Sequence, residues 1–245
     1  MPRPYFANAS RITPANPSLT FPIRAAYYYP WYNEGWDQLG YTPFTRYTPT
    51  LGAYYDQHDP LILQQHFAWM RDAHIQAVLP TWRGRGDGVG FSATTFGASR
   101  YDSDAKIALM LDIALQYGIK VAIVYEAEGY GAPTAAEITA ELDWLAANRF
   151  NHPAYLHVNG KPVVSVYTGG GAGVGTCGDT VRWSDATAAF TTCYITMDKV
   201  TAGYLSCPTQ PPSWHEYNIG PTLDVGNTYT INPGFWRIDQ GSPPL

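Results

Sequence analysis

Charged residues are scarce in this chain, and what it lacks excludes several classes of protein. Only 14% of the 245 residues are charged, with a formal net charge of −5. No run of lysine and arginine occurs, so the sequence predicts no nucleic-acid partner. No stretch of about 18 apolar residues exists, which predicts no membrane-spanning helix. The first residues lack the apolar core of a signal peptide, as expected of a cytosolic protein or of a mature protein whose signal has been removed.

Cysteine is also rare, with three residues. Cys193 lies in a predicted strand, so we expect a buried thiol there. Cys177 and Cys207 both lie in predicted loops rich in glycine, proline and threonine. They could form one disulfide, which would fit an oxidising compartment and therefore an extracellular or periplasmic protein.

Motifs for metals and cofactors are missing as well. The cysteine spacing matches no zinc motif, and no set of histidine, aspartate and cysteine has metal-ligand spacing. The glycine-rich stretch 83–88 lacks the Gly-Lys-Ser/Thr ending of a phosphate-binding loop. We therefore expect no metal and no cofactor.

Aromatic residues, in contrast, are abundant. They make up 15% of the chain, with 19 tyrosines and 8 tryptophans. Flat rings stack on the faces of pyranose sugars while their polar groups form hydrogen bonds. A tyrosine-rich core would give the same composition, so a sugar-binding cleft and a plain core both remain open at this point.

Apolar runs that predict buried strands alternate with helical patterns along the chain. Strands are predicted at 23–31, 75–82, 120–126, 161–167, 190–197, 213–217 and 227–236. Helices are predicted to begin near residues 60, 103, 135 and 181. This order predicts an α/β fold, a parallel sheet in one domain over residues 23–245, after an extended arm over residues 1–22. A (β/α)8 TIM-type barrel needs eight strands, so either one element escapes the pattern or the barrel is incomplete at its C-terminus.

The stretch 120–130 carries the strongest indication of chemistry. It is an apolar run that ends in Glu126, Glu128 and a glycine turn. Barrel enzymes keep their catalytic residues at the C-terminal ends of strands. Paired carboxylates perform glycoside hydrolysis, one as the acid and the other as nucleophile or base. If the strand reaches residue 128, both side chains point to the same face. The alternative is one exposed glutamate beside one salt-bridged glutamate.

Aromatic and histidine residues at the other strand ends extend this candidate site. The C-terminal ends of barrel strands converge on one face, so these side chains could line one substrate cleft. They are Tyr29, Trp31, Trp82, Tyr125, Tyr167, Trp214, His215 and Tyr217. His58 could bind substrate or the backbone, and Asp59 could bind substrate or cap the first helix.

Several short motifs follow one another in an order that resembles one family. They are Tyr28-Tyr29-Pro30-Trp31-Tyr32, Asp56-Gln57-His58-Asp59-Pro60, Trp82 before a glycine-rich loop, Tyr125-Glu126, His152-Pro153-Ala154-Tyr155 and Gly160-Lys161-Pro162-Val163. Over roughly residues 23–236 the chain resembles the glycoside hydrolase family 99-like proteins, which include endo-α-mannosidases and endo-mannanases.

The resemblance implies a (β/α)8 barrel that cleaves an α-linked oligo- or polysaccharide with retention. It places Glu126, with Glu128 close by, at the positions of the family's two catalytic glutamates. Family members continue to a last strand that carries Trp-Asn-Glu-Trp, so the resemblance also implies a barrel without its closing strand.

Two functions are therefore carried forward. The first is an endo-acting, retaining glycosidase with Glu126 and Glu128 as the catalytic pair. The second is a non-catalytic glycan-binding or structural protein built on an incomplete barrel. A carbohydrate lyase with a tyrosine base is a third, weaker alternative. Released reducing ends would indicate hydrolysis, and unsaturated products would indicate a lyase.

Overall fold

The computed structural model describes residues 19, 21–31, 51–52, 55–85, 89–92, 103–168, 176–198, 202–217, 228 and 230–231. The strands are β1 Ala25–Tyr28, β2 Ala77–Trp82, β3 Lys120–Val121, β4 Val124–Tyr125, β5 His157–Val158, β6 Lys161–Val166, β7 Tyr194–Asp198 and β8 Ser213–His215. The α-helices are α1 Pro60–Asp72, α2 Ser103–Tyr117, α3 Ala135–Leu145 and α4 Cys177–Ala186. Among the described residues, no helix is long and apolar enough to cross a membrane.

The strands form one sheet whose spatial order follows the chain. The order is β1-β2-β4-β6-β7-β8, and β3 pairs with β2 just before β4 does. Every pairing along this path is parallel, and only the short β5 runs antiparallel, to β6. Helices α1 to α4 lie in the crossovers between these strands. Parallel neighbours joined in sequence by helices are the winding of a (β/α) barrel.

The sheet curls but does not close among the described residues. The ring of Tyr27 in β1 lies 6.1 Å from the ring of His215 in β8, so the first and last strands face each other. No backbone ladder joins these two strands in the described part of the chain. The incomplete barrel expected from the sequence is therefore confirmed.

Side chains alternate between the two faces of the curled sheet, as the period of a strand requires. The concave face holds a small apolar cluster near the N-terminal ends of the strands, formed by Ala77, Ala122, Leu156 and Val163. The convex face packs against the helices in the larger core. Members of that core are Val78, Trp82, Ile123, Tyr125, Val164, Val166, Ile195 and Trp214 from the sheet, and Leu63, Phe67, Met110 and Leu142 from the helices.

Local capping signals explain where two helices begin. Asp59 caps α1 by accepting a hydrogen bond from the Leu61 amide at 2.8 Å, with Pro60 in the first turn. Thr134 and Glu137 form a reciprocal capping box at the start of α3. Both starts were predicted from the sequence.

Helix α4 corrects the sequence prediction at both ends. It begins at Cys177 rather than near residue 181, because Thr176 and Asp179 form a second capping box. It ends at Ala186, and the next residues, 188–190, have positive φ angles that turn the chain. Strand β7 therefore starts at Tyr194, not at residue 190.

The third predicted strand is interrupted. Val121 exchanges hydrogen bonds with the segment 154–156, whereas β4 pairs with β6. This change of partner divides residues 120–126 into β3 and β4, and the ladder ends at Tyr125. The predicted strand at 227–236 lies almost wholly outside the described residues, and its described positions 228, 230 and 231 are not in a strand. Most of the predicted arm 1–22 also lies outside them.

The three cysteines take two different states. Cys177 and Cys207 are joined by a disulfide across a sequence separation of 30 residues. Cys177 opens α4 instead of lying in a loop, so the disulfide ties the start of this helix to the chain that leads into β8. Cys193 is a buried free thiol that lies just before β7.

Candidate active site

One level of residues follows the C-terminal ends of the parallel strands. Tyr125 of β4 is level with Trp82 of β2 and with Val166 of β6, and Val166 is level with Met197 of β7. The residue after each of them belongs to the concave face because side chains alternate. With Trp31 after β1 and His215 of β8, they form a level termed the rim row. Its members are Trp31, Arg83, Glu126, Tyr167, Asp198 and His215.

Glu126 lies in the middle of the rim row, beside a cation. Its Oε1 is 3.5 Å from Nη2 of Arg83, and the Arg83 guanidinium lies over the ring of Trp31, 4.2 Å from its centroid. The glutamate is only 4% exposed. Burial raises the pKa of the Glu126 carboxyl, and Arg83 opposes this rise. A carboxyl with a pKa moved toward neutrality can exchange protons during a reaction.

Tyrosine rings line the same mouth. The ring of Tyr217 lies 5.1 Å from Tyr27 and 4.9 Å from Tyr167, and its hydroxyl shares a hydrogen bond with the hydroxyl of Tyr29. Burial raises the pKa of Tyr217, and Tyr29 and Glu126 raise it further, so the Glu126 carboxyl acts on this ring directly. Rings with hydroxyls beside a carboxyl are a suitable surface for a sugar.

A close approach at Gly129 fixes the turn that carries Glu126. A Cβ atom at this position would lie 2.5 Å from Cδ1 of Tyr167 and 3.2 Å from the Tyr167 carbonyl oxygen. Any side chain at residue 129 would therefore push the turn away from the strand end. The glycine that was read from the sequence as a plain turn signal thus sets the position of Glu126 against the tyrosine cluster.

Glu128 faces away from the rim row. A 3-10 helix, Ala127–Tyr130, begins directly after Glu126, so the alternation that would align the two glutamates ends at Tyr125. Glu128 is 0% exposed, and it accepts hydrogen bonds from Nη2 of Arg182 and, at 3.1 Å, from the indole of Trp183. Burial raises the pKa of its carboxyl to about 7, against the opposing effect of Arg182.

The partners of Glu128 form a closed network on α4. Arg182 also bonds to Asp179 at 2.7 Å, and the hydroxyl of Tyr204 donates to the same aspartate. The disulfide anchors this helix at its first residue. Glu128, Asp179, Arg182, Trp183 and Tyr204 are termed the outer network. Both oxygens of Glu128 are bonded within it, so this carboxyl is part of the packing between the turn and α4.

Three predicted aromatic residues point to the helices instead of the mouth. The indole of Trp82 lies 3.4 Å from a carboxylate oxygen of Asp104 on α2, and the hydroxyl of Tyr125 donates to Glu141 on α3. Trp214 is buried in the same convex core. The structure thus separates the predicted strand-end residues into two sets. Tyr29, Trp31, Glu126, Tyr167, His215 and Tyr217 meet on the concave face, and Trp82, Tyr125 and Trp214 do not join them.

His58 and Asp59 lie at the start of α1. The Asp59 carboxylate caps the helix, and Nδ1 of His58 lies 2.8 Å from Oδ1 of Asp56. Their hydrogen bonds are local, and within the described residues no bond or ion pair joins either of them to the rim row.

Asp198 is the rim-row carboxyl that sequence reasoning missed. It is 1% exposed, and the backbone N–H of Tyr217 donates to its carboxylate. Its Oδ1 has no hydrogen-bond partner among the described residues. Burial raises the pKa of Asp198 to about 7, which the Tyr217 amide opposes and Glu216 reinforces. The signal was present in the sequence, because an apolar run ends in an acid here as it does at Glu126.

His215 completes the row in a neutral form. Its Nδ1 lies 3.1 Å from Oγ1 of Thr196, and its Nε2 lies 3.4 Å from Oγ of Ser165. Burial lowers the pKa of His215 to about 3. Within the described ranges, no three histidine, cysteine or acidic side chains are grouped so that they could hold a metal ion.

Comparison with solved structures supports the fold. The chain is similar to a family 99 endo-α-mannosidase from Bacteroides thetaiotaomicron in complex with bis-tris propane, with a TM-score of 0.58 and 18% identity over 80% of this chain and 59% of that one. A second structure of an endo-α-mannosidase from the same organism gives a TM-score of 0.56 and 16% identity over 83% and 63%. The chain thus spans about three fifths of the length of these relatives.

Comparison with sequences supplies the family. No curated protein matches the chain. The family model for glycosyl hydrolase family 99 matches residues 37–171, a stretch that contains α1, α2, α3, Arg83, Glu126 and Tyr167. This match extends over more than half of the 245 residues, and the chain therefore belongs to glycosyl hydrolase family 99.

Proposed function

We propose that this chain is an endo-acting, retaining glycoside hydrolase that cleaves an α-linked glycan and uses Glu126 as a catalytic carboxylate. One observation carries this proposal. Glu126 is the carboxyl that lies at a strand end on the concave face, 3.5 Å from a guanidinium and next to a cluster of tyrosines. Family membership supports hydrolysis, and the endo-α-mannosidases of similar fold support an α-linked, mannose-containing substrate.

The residues of the mouth have distinct parts in such a reaction. The rings of Tyr29, Trp31, Tyr167 and Tyr217 would stack on the sugar and hold the scissile bond in place. Arg83 stabilises the ionised form of Glu126 and keeps its carboxylate oriented. Hydrolysis also needs a proton donor for the leaving oxygen. The geometry favours Glu126 over Glu128, because both Glu128 oxygens are bonded to α4.

Release of reducing ends by the purified protein tests this proposal. The parent chain should release them from α-mannan or a related α-glycan, and Glu126→Gln should lower the rate by about 10²- to 10⁴-fold, the usual contribution of one acid–base group. Glu137→Gln is the matched control, since this exposed capping glutamate lies on α3 and glutamine preserves the capping box. A Glu126→Gln variant as active as the parent would contradict the proposal.

The alternative is a glycan-binding protein without catalysis. The unpaired strands β1 and β8 favour it, since an open barrel has a wider mouth than a closed one in the part of the chain described. Calorimetric binding of an α-glycan by the parent chain, with no reducing ends released over the same period, would support this alternative.

We also propose that the protein works outside the cytosol, in an extracellular or periplasmic space. The Cys177–Cys207 disulfide supports this location, because such bonds persist in oxidising compartments. Fractionation of the producing cells, with detection by antibody, would test it, and recovery of the protein from the cytosol alone would contradict it.

A further inference from the structure

We propose that Asp198 is the second catalytic carboxyl of this site and that it donates a proton to the leaving glycosidic oxygen. This inference rests on the proposed function, in which Glu126 is the first carboxyl. No catalytic part was predicted for Asp198 from the sequence. Its place in the rim row, its free oxygen and the charges around it support the assignment.

The rim row places Asp198 and Glu126 at one level on one face. Glu126 follows β4, Asp198 ends β7, and β6 alone lies between those strands. Neighbouring strands are about 4.8 Å apart, so the two backbones are separated by roughly 10 Å. Because both side chains point into the concave side of a curled sheet, their carboxyls are closer than their backbones. This brings them into the range of about 5–9.5 Å that glycosidase pairs use.

The free oxygen of Asp198 is available to a substrate. The Tyr217 amide holds one side of the carboxyl, and Oδ1 has no partner among the described residues. A buried polar atom without a partner is costly unless it serves a purpose. Tyr217 links this carboxyl to Glu126, because its backbone bonds to Asp198 and its hydroxyl feels the Glu126 charge. A sugar that stacks on the Tyr217 ring would therefore lie between the two acids.

The surroundings of the two carboxyls favour opposite protonation states. Arg83 lies beside Glu126 and favours its ionised form. Asp198 forms no salt bridge within the described residues, and the titratable groups that face it are Tyr27 from β1 and Glu216 and Tyr217 after β8. None of these is a cation, and burial raises the pKa of Asp198 to about 7. Environments that separate two pKa values in this way assign the acid and the base.

The proton balance of the reaction is simple. The O–H bond of protonated Asp198 breaks as its proton passes to the glycosidic oxygen. The C1–O bond breaks with its electron pair going to that oxygen, which leaves as the hydroxyl of the departing sugar. Water then adds its oxygen to C1 and returns one proton to the Asp198 carboxylate. One water is consumed for each glycosidic bond cleaved, and Asp198 ends protonated as it began.

Substrates with different leaving groups test this role. Asp198→Asn should lower the hydrolysis of an α-linked mannooligosaccharide by about 10²- to 10⁴-fold, because the sugar leaves only after protonation. Hydrolysis of a 2,4-dinitrophenyl α-glycoside of the same sugar should fall by less than about 10-fold, since this phenol leaves as an anion. The basic limb of the pH–rate profile should also disappear, whereas the Asp198→Glu variant should keep it.

The control variants separate this inference from the proposed function. Asp143→Asn makes the same change at an exposed position on α3, and it should leave both rates unaltered. Thermal unfolding of each variant shows that the fold is retained, and Asp198→Glu supplies the comparison if Asp198→Asn is unfolded.

Loss of both rates to the same extent in Asp198→Asn would overturn the role of Asp198. So would a loss that depends on the leaving group in Glu128→Gln instead, since the donor would then be Glu128. In either case a Glu126→Gln variant that remains inactive leaves the proposed function standing. If the parent hydrolyses neither substrate, both proposals fall.

Discussion

The two faces of the curled sheet use the same residue types in opposite ways. On the concave face, Glu126 has one cation at 3.5 Å, and Asp198 keeps one oxygen without a partner among the described residues. On the convex face, Glu128 and Glu141 are each bonded through both oxygens. Carboxyls with complete partners hold elements together, and incompletely bonded carboxyls are available for chemistry.

A single residue along the chain separates these two situations. Tyr125 donates to Glu141 in the convex core, and the next residue, Glu126, lies in the mouth. Trp82 and Arg83 differ in the same manner, one bonded to α2 and the other stacked on Trp31. Strand parity is therefore the physical basis of the division between structure and proposed function.

The largest effect is expected for Glu128→Gln. This change removes a buried carboxylate from Arg182 and should lower the free energy of unfolding by about 3 kcal/mol, at the low end for breaking a buried pair. Asp179 still holds Arg182 at 2.7 Å, which limits the loss. Glu126→Gln is the matched change on the concave face, and we expect less than about 1 kcal/mol there because its ion pair is long. Urea unfolding followed by tryptophan fluorescence measures both.

Equal destabilisation by the two variants would remove the distinction between the faces. A full loss of activity in Glu128→Gln without any change in unfolding would be a stronger contradiction, since it would move Glu128 from the outer network into the site.

A smaller effect is expected for Tyr125→Phe. The tyrosine hydroxyl donates to Oε2 of Glu141, which then keeps only the donors of Ser92 in a fully buried place. Leaving a buried acceptor with fewer donors costs about 1–2 kcal/mol. Tyr217→Phe is the concave counterpart, and there we expect less than about 0.5 kcal/mol because water can replace a hydroxyl at a half-buried mouth.

The second measurement for this pair is glycan binding. Tyr217→Phe should weaken it while Tyr125→Phe leaves it unchanged, and the reverse pattern would show that the convex face is the one that meets the sugar.

Local signals made part of this fold predictable. The capping box of Thr134 and Glu137 and the apolar run of β6 depend on neighbouring residues, and both were predicted close to their observed bounds. The start of α4 was missed because its capping residues, Thr176 and Asp179, follow a glycine-rich stretch that hid the helical pattern.

The candidate site was predictable in position but not in orientation. A carboxyl at the end of a buried strand indicated Glu126 correctly as a concave-face residue. The direction of Glu128 depends on Arg182, which is 54 residues away in the chain, so no local pattern could show it. Asp198 was missed because the predicted strand stopped one residue early, at Met197. Parallel strands are apolar on both faces, so composition could not tell which of Trp82 and Arg83 meets the mouth.

The smallest effect concerns pH and the buried histidine of the rim row. Burial lowers the pKa of His215 to about 3, whereas an unfolded histidine titrates near 6.5. Below that value the unfolded chain binds a proton that the native His215 refuses, so stability falls as the pH falls. Between pH 6.5 and 5.5 this residue should cost the parent about 1 kcal/mol, and His215→Gln should lack that loss. Chemical unfolding at several pH values measures the difference.

Asp198 supplies the control of opposite sign for this measurement. Its native pKa of about 7 lies above its unfolded value, so the native chain takes up the proton first as the pH falls from about 7. Parent stability from this group therefore rises over the same interval in which His215 lowers it. Removing His215 should leave a curve that rises toward acid, and Asp198→Asn should leave one that falls. If both variants changed the slope in the same direction, the neutral histidine and the protonated aspartate could not be neighbours in one row.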